Sequence, residues 1–319
     1  MKLIDLHCDT IWNIHSCKQS QGLKKNHFHV DIQKLQKADS VAQFFALFIN
    51  QGEVMEKKIT PWSDFLDKHQ VLMDQLALNS DEIALAKNGK DLDSNRASGK
   101  ISAFMTIEEG GVLEGQMHRL EEAYAMGVRL ITLTWNYINS IGFPNNLCIT
   151  DYPNQRLTAF GVEVVERMNE LGMIVDVSHL SDQGFYHVHE ISKKPYIASH
   201  SCARVLQNHP RNLTDDMLQV LGNDGGIVGL NFLPIFLDPQ AVSSPEKMVD
   251  HILHIENKAG IDAVAIGTDF DGIDGYLEIE NISQMDKLLS ALKKAGYSDD
   301  RIEKIWYHNA RRIIDEVMR

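Results

Sequence analysis

Two apolar runs, each ending in a histidine, constrain this chain more than any other feature. MIVDVS leads to His179, and PYIAS leads to His200. Each run has the length of one strand, and the intervening SDQGFYHVHEISKK is long enough for one crossover helix. The unit reads as βαβ, with an imidazole at the carboxyl end of each strand. In parallel sheets, open or closed, ligands sit at that edge. Two neutral imidazoles converging there make half of a metal site. The remaining sequence is then a search for the other half.

LIDLHCD (Leu3 to Asp9) closes on His7 and Asp9, which share a face by strand alternation while Cys8 points the other way. VAQFFALFI (Val41 to Ile49) reads as a second buried strand. ISAFMTIE (Ile101 to Glu108) is a third, running into Glu109, Gly110 and Gly111: a carboxylate with backbone close behind it, or a solvated turn. VRLITLTW (Val128 to Trp135) is the fourth, GIVGLNF (Gly226 to Phe232) the seventh, and AVAIGTDFDG the eighth, ending in Asp269 and Asp271. Helical periodicity fills the spaces between them. PWSDFLDKHQVLMDQLAL starts at Pro61, MHRLEEAYAM is capped by Gly127, and LTDDMLQVL is capped by Gly222. GVEVVERMNELG, SPEKMVDHILHIENKAG and the closing segment continue the pattern, while polar Lys87 to Lys100 reads as a helix end and loop. Eight strands separated by helices predict a single (β/α)8 TIM barrel, one catalytic domain over residues 1–319 with long loops after strands four and seven.

A net charge of −13, from 31 basic and 44 acidic residues, argues against a nucleic-acid or anionic-membrane partner. The opening MKLIDLHCD enters a strand without the features of a signal peptide, and no run reaches the roughly 18 apolar residues of a membrane span. Cys8, Cys17, Cys148 and Cys202 form no CxxC and suggest no disulfide framework. A cytoplasmic location is the expectation.

If the barrel closes, His7, Asp9, Glu108, His179, His200 and Asp269 share one bowl. A single cation would leave carboxylates repelling each other in a dry site. Two divalent cations roughly 3.5–4 Å apart, bridged by one carboxylate, remove the conflict. Nitrogen and oxygen ligands suit zinc, manganese and cobalt alike. Other candidates have plainer readings. His187 and His189 lie two apart on a presumed helix and do not share a face. His27 and His29 lie in a polar loop, and Cys202 packs as a small apolar group. His209 could reach a substrate near Arg211, and Asp271 either supports Asp269 or is solvated. The sequence contains no GxSxG, HExxH or P-loop.

The chain resembles the renal-type (membrane) dipeptidases, peptidase family M19 of the amidohydrolase superfamily. The likeness runs through DLHCDT, IEEGG, MGVRLITLTW, LTAFG, LGMIVDVSHLS, ASHSCAR, HPRN and GTDFDG. It implies a dipeptidase with two divalent ions, zinc by family habit, in which a bridging hydroxide attacks the peptide carbonyl. His7 and Asp9 would hold one ion, His179 and His200 the other, with Glu108 bridging. Glu108 is preferred to Glu109 because it leaves the spacing to GVRLITLT ungapped. Asp269 would be the proton shuttle, Arg211 the anchor for the substrate carboxylate, and Asn231 part of the pocket. The resemblance also implies a homodimer and tolerance of a D-residue at the substrate's carboxyl end.

Two positions depart from the pattern. Trp135 stands where the renal enzymes carry a substrate-contacting histidine, and Arg156 where glycine is frequent. The secretion signal and lipid-anchor tail of the mammalian enzymes are missing, so no membrane address carries over. Another amidohydrolase reaction (deamination, lactone or cyclic-amide opening) is an alternative. Many such sites use a carbamylated lysine from strand four, and LTLTW offers none. A catalytically silent barrel is the other alternative; it would be marked by loss of a ligand or of Asp269, and neither is lost.

Overall fold

The computed structural model describes residues 1–17, 22–146 and 154–319. Nine parallel strands are present among them: β1 (Leu3–Cys8), β2 (Ser40–Phe48), β3 (Ile83–Leu85), β4 (Ile101–Glu108), β5 (Val128–Thr132), β6 (Ile174–Asp176), β7 (Ile197–Ser201), β8 (Ile227–Leu230) and β9 (Val264–Ile266). The order β2-β1-β9-β8-β7-β6-β5-β4 is closed by pairing of β2 with β4, so eight strands form the barrel. This closed parallel barrel with surrounding helices is the expected TIM-barrel fold. The ninth strand was not expected. β3 pairs only with the first residues of β4, from Ile83 opposite Ile101 to Leu85 opposite Ala103.

Parallel neighbours need crossovers, and amphipathic helices supply them. The helix Asp182–Ile191 joins β6 to β7 and buries Phe185 and Val188. The helix Pro61–Leu78 begins at Thr60 with a reciprocal Thr60–Ser63 cap and Pro61 in its first turn, where proline costs no hydrogen bond.

Two local expectations are corrected. Lys87 to Lys100 contains a helix of its own, Gly89–Ala97, whose N-cap Asn88 accepts from the Asp91 amide. Gly222 does not cap its helix, which runs Asp215–Asn223 and ends at Asp224. A Cβ at Gly222 would lie 2.4 Å from the Ala259 carbonyl oxygen, so glycine there permits close packing against the helix Pro245–Ala259.

Several barrel strands are shorter than the apolar runs that encode them. β6 stops at Asp176 and β9 at Ile266, leaving His179 and Asp269 on the loops that follow. Both adopt left-handed backbone (φ 67° and 61°), as do Glu109 (φ 92°) and Asp271 (φ 72°). Such backbone in residues with a Cβ costs about 1–3 kcal/mol each and clusters at functional sites. No helix among the described residues is long and apolar enough to cross a membrane.

Candidate active site

The carboxyl edge of the barrel gathers the polar ends of β1, β4 and β7 with the loops after β6 and β9. The side chains of His7, Asp9, Glu108, His179, His200 and Asp269 are all largely or fully buried. His7 Nε2 lies 3.4 Å from Asp9 Oδ2, 3.4 Å from Glu108 Oε2 and 3.8 Å from Asp269 Oδ1. On the other side, Glu108 Oε1 is 3.1 Å from His179 Nε2 and 3.5 Å from His200 Nε2. All six expected residues therefore share one cluster, and Glu108 touches both halves of it.

Electrostatics in this cluster follow from burial and mutual charge. Burial opposes charging His7, yet Glu108 and Asp9 outweigh it and push the imidazole well above its ordinary pKa. Burial would raise Glu108, but His7 and His179 hold it well below the usual carboxylate range. Asp9 is pushed well up by burial and by the Glu108 charge. Burial also raises Asp269, to about 6. His179 falls to about 4 through burial and the Arg211 charge. Three carboxylates around His7 create a strong demand for positive charge between them.

The hydrogen bonds behind the histidines show how cations would fit. Asp176, at the end of β6, accepts from Ser178 N, Ser199 N, Thr132 Oγ1 and, at 2.6 Å, Ser199 Oγ. With its hydrogen committed to Asp176, Ser199 Oγ is left to accept from His200 Nδ1 at 2.8 Å. Likewise His179 Nδ1 faces Asn136 Oδ1 at 3.2 Å, an acceptor. Both rings then carry hydrogen on Nδ1 and turn lone pairs inward. Their Nε2 atoms lie 3.0 Å apart. Two lone pairs at that distance repel unless a cation lies against them. Both ring nitrogens of His7 and Oδ1 of Asp9 are buried without a hydrogen-bond partner. Ligand atoms of His7, Glu108 and His200, and those of His7, Asp9 and Asp269, form two groups with every member within 4.8 Å of the others. The donor set fits divalent cations.

β1 is held in place by a second buried carboxylate. Asp5 accepts from Thr268 N at 2.9 Å, Thr268 Oγ1 at 2.8 Å and Gln43 Nε2 at 3.0 Å. Asp269 N in turn donates to His7 O at 3.2 Å, so the loop after β9 is tied to the end of β1. Asp271 turns away from the cluster. It accepts from Thr10 Oγ1, His29 N and Val30 N, and its own N–H donates to His29 Nδ1. That is support rather than solvation.

Glu109 points away from the cluster, toward Gly111 N and Trp135 N. His189 pairs with Asp224 on the surface, Cys202 is buried in the core, and Cys148 lies outside the described residues. Asp5, Asp176 and the structural part played by Glu109 were not expected from sequence. A carboxylate inside an apolar strand run was the signal for the first two.

Above the cluster lies a cavity of about 540 Å³, of small-ligand size. Trp12, Phe48, Trp135, His209, Arg211 and Phe236 are among its walls. Arg211 is buried and its Nε has no partner, while Nη2 donates to His200 O at 3.4 Å. Burial lowers its pKa only to about 10, so it stays charged at neutral pH. Its loop is fixed by Arg204, which forks onto Asp182 and also donates to the Asn212 and Pro210 carbonyls. Asn231 Nδ2 donates to Asp269 Oδ2 at 2.8 Å.

Gly272 borders both cavity and cluster. A Cβ there would fall 2.2 Å from Asp9 Oδ2 and 3.0 Å from Asp269 Oδ1. Gly272→Ala is expected to displace both carboxylates and weaken metal binding by about 10–100-fold, the effect of disturbing ligand support. Competition with a graded series of chelators measures it, and wild-type affinity would disprove the crowding argument.

The chain matches the membrane dipeptidase family, peptidase family M19, over residues 1–319. An uncharacterized dipeptidase of Schizosaccharomyces pombe is 30% identical over 296 residues, covering 89% of this chain and 71% of that protein. The dipeptidase tcpJ of Claviceps purpurea is 30% identical over 302 residues, covering 91% and 69%. Among solved structures, the dipeptidase AC of family M19 superposes with a TM-score of 0.90 at 22% identity, over 100% of this chain and 99% of that one. A Rhodobacter sphaeroides metallopeptidase, solved with a phosphinate mimic of L-Ala-D-Ala, gives 0.91 at 22% identity over 99% of both chains. These two share the fold. The match over the whole length and the two curated relatives establish that this chain belongs to the membrane dipeptidase family, M19, and is a metal-dependent hydrolase of dipeptides.

Proposed function

We propose that the chain acts as one catalytic unit that cleaves free dipeptides at a two-cation centre. His7 and Asp9 would hold one ion and His179 and His200 the other, with Glu108 bridging. The observation that carries this reading is the 3.0 Å approach of His179 Nε2 to His200 Nε2, set against a carboxylate, Glu108, that also reaches His7. Zinc suits these ligands, as do manganese and cobalt. Held by these residues, such cations would supply Lewis-acid polarisation of the scissile carbonyl and a water made acidic near neutral pH.

The protein's own groups do the rest. Asp269 takes the water's proton on Oδ1 and returns it to the leaving amine nitrogen. The Asn231 amide occupies Oδ2 and so fixes which oxygen receives the proton. Arg211, buried with an unpartnered Nε, forks onto the substrate's terminal carboxylate. That contact confines cleavage to very short peptides.

Arg211→Met should raise KM for a dipeptide by about 10–100-fold while kcat falls less, because the contact is made equally in ground and transition states. An unchanged KM would strike out the carboxylate clamp.

The overall reading is tested by elemental analysis together with hydrolysis of L-Xaa–L-Xaa and L-Xaa–D-Xaa dipeptides, with and without chelator. Two equivalents of metal and chelator-sensitive hydrolysis are expected, with the D-series included because the Rhodobacter sphaeroides structure holds an L-Ala-D-Ala mimic. One equivalent at full activity would overturn the two-cation centre. Free thiols at Cys8, Cys17 and Cys202 support a reducing, cytoplasmic setting.

A further inference from the structure

We propose that Trp135, fixed by the buried Glu109 carboxylate, completes an aromatic subsite with Phe48 and Trp12 that takes the side chain of the dipeptide's amino-terminal residue and selects large apolar ones. Three observations meet here. The first is the wall itself. Trp12 meets Phe48 edge-on at 5.6 Å between ring centroids, and Phe48 meets Trp135 at 4.8 Å. All three line the cavity, and Trp135 reaches the reacting centre through His179 at 6.2 Å. Aromatic faces of this kind gain from burying apolar side chains and disfavour a carboxylate, which they cannot hydrogen-bond.

The second is how Trp135 is held. Glu109 is fully buried in left-handed backbone. Its Oε2 accepts from Trp135 N at 2.9 Å. Its Oε1 accepts from Gly111 N at 2.7 Å and from Asn139 Nδ2. Asn139 Oδ1 accepts in turn from Ile141 N and Gly142 N. A carboxylate thus ties together the start of the loop after β5 and fixes the backbone from which Trp135 projects. Glu109 is a positioning residue.

The third is the opposite side of the cavity. Arg211 lies 5.6 Å from the Phe236 ring, which also meets His209. This placement rests on the reading of Arg211 as the carboxylate anchor. With the carboxylate there and the scissile bond at the metal centre, the amino-terminal residue is the one left to face Trp135. Among the described residues, Asp9, Glu108, Asp269 and Arg211 are the only Asp, Glu, Lys or Arg in the cavity wall, and the proposed chemistry and anchoring occupy all four.

The test is a matrix of dipeptides varied first at the amino-terminal and then at the carboxyl-terminal residue. Wild type should favour Phe- and Leu-first over Asp- and Glu-first substrates by about tenfold or more in kcat/KM. Trp135→Ala should collapse that ratio, and Trp135→Phe should keep most of it, with metal content and melting temperature confirming that both variants fold. Glu109→Gln presents an N–H donor where acceptors are needed, and should raise KM for Phe-first substrates more than it lowers kcat. Equal rates for all first residues in wild type, or an undiminished ratio in Trp135→Ala, would overturn the subsite. Selectivity lost at the carboxyl-terminal residue instead would overturn its placement. A dipeptide amide cleaved as fast as the free acid would remove the Arg211 anchor, and the orientation argued here would fall with it.

Discussion

Asp269→Asn should cost about 10²–10⁴-fold in kcat while the protein retains its metal, the range expected when a positioned proton carrier is lost. The substitution is close to silent in shape. Asn tolerates the left-handed backbone of this position (φ 61°) about as well as Asp does. It can still turn its carbonyl to the Asn231 amide, the present partner of Oδ2. What then faces His7, in place of Oδ1, is an NH2 group that cannot accept a proton. Loss should therefore fall on kcat, with KM and metal equivalents near wild type. The pH profile supplies a second readout. A base must be ionised to work, so wild-type kcat should fall as pH drops through the Asp269 pKa, and the variant's residual activity should show a changed acidic limb, set by the water alone. Turnover within tenfold of wild type, or an unchanged limb, would take Asp269 out of the reaction.

The parts of this arrangement that sequence exposes share one property: they stand at the ends of long apolar runs. His7, Glu108 and His200 stand at or next to the carboxyl ends of buried, mostly apolar stretches in β1, β4 and β7, where an ionisable side chain stands out. β3 fails that criterion. Three residues, Ile83–Leu85, carry too little pattern to separate from a helix end. The polar helix Gly89–Ala97 buries little besides Gly89 and Leu92, so its apolar period is faint. Asp5 and Asp176 illustrate a different limit. Their burial is tolerable only because of partners contributed largely by distant segments, and Asp5 finds Thr268 at a separation of 263 positions. No local window contains that information. Glu109 is the subtlest case. Next to Glu108, before two glycines, it reads as the solvated half of a turn. Only the return of Trp135 and Asn139 over it makes it a buried anchor.

Glu108 and Glu109 also make the sharpest paired experiment, since adjacent carboxylates are assigned opposite tasks. Glu108 is in contact with His7, His179 and His200 together. Glu108→Gln keeps the volume but removes a negative charge and replaces one oxygen with an N–H donor aimed at groups that bind cations. Loss of a carboxylate from a buried ionic cluster costs about 3–5 kcal/mol, or roughly 10²–10³-fold or more in binding at 1.4 kcal/mol per decade. If Glu108 serves both ions, as proposed, the loss should fall on both. Metal content should drop from about two equivalents to below one, and hydrolysis should become undetectable at wild-type enzyme concentration. Thermal melts with chelator present separate metal loss from unfolding: the variant and wild type should then lie closer together than they do with metal. Glu109→Gln, one residue along, should keep both equivalents and change substrate preference instead. If Glu109→Gln emptied the site while Glu108→Gln left it filled, the bridging assignment would pass to the neighbour and the geometry proposed for the centre would be wrong.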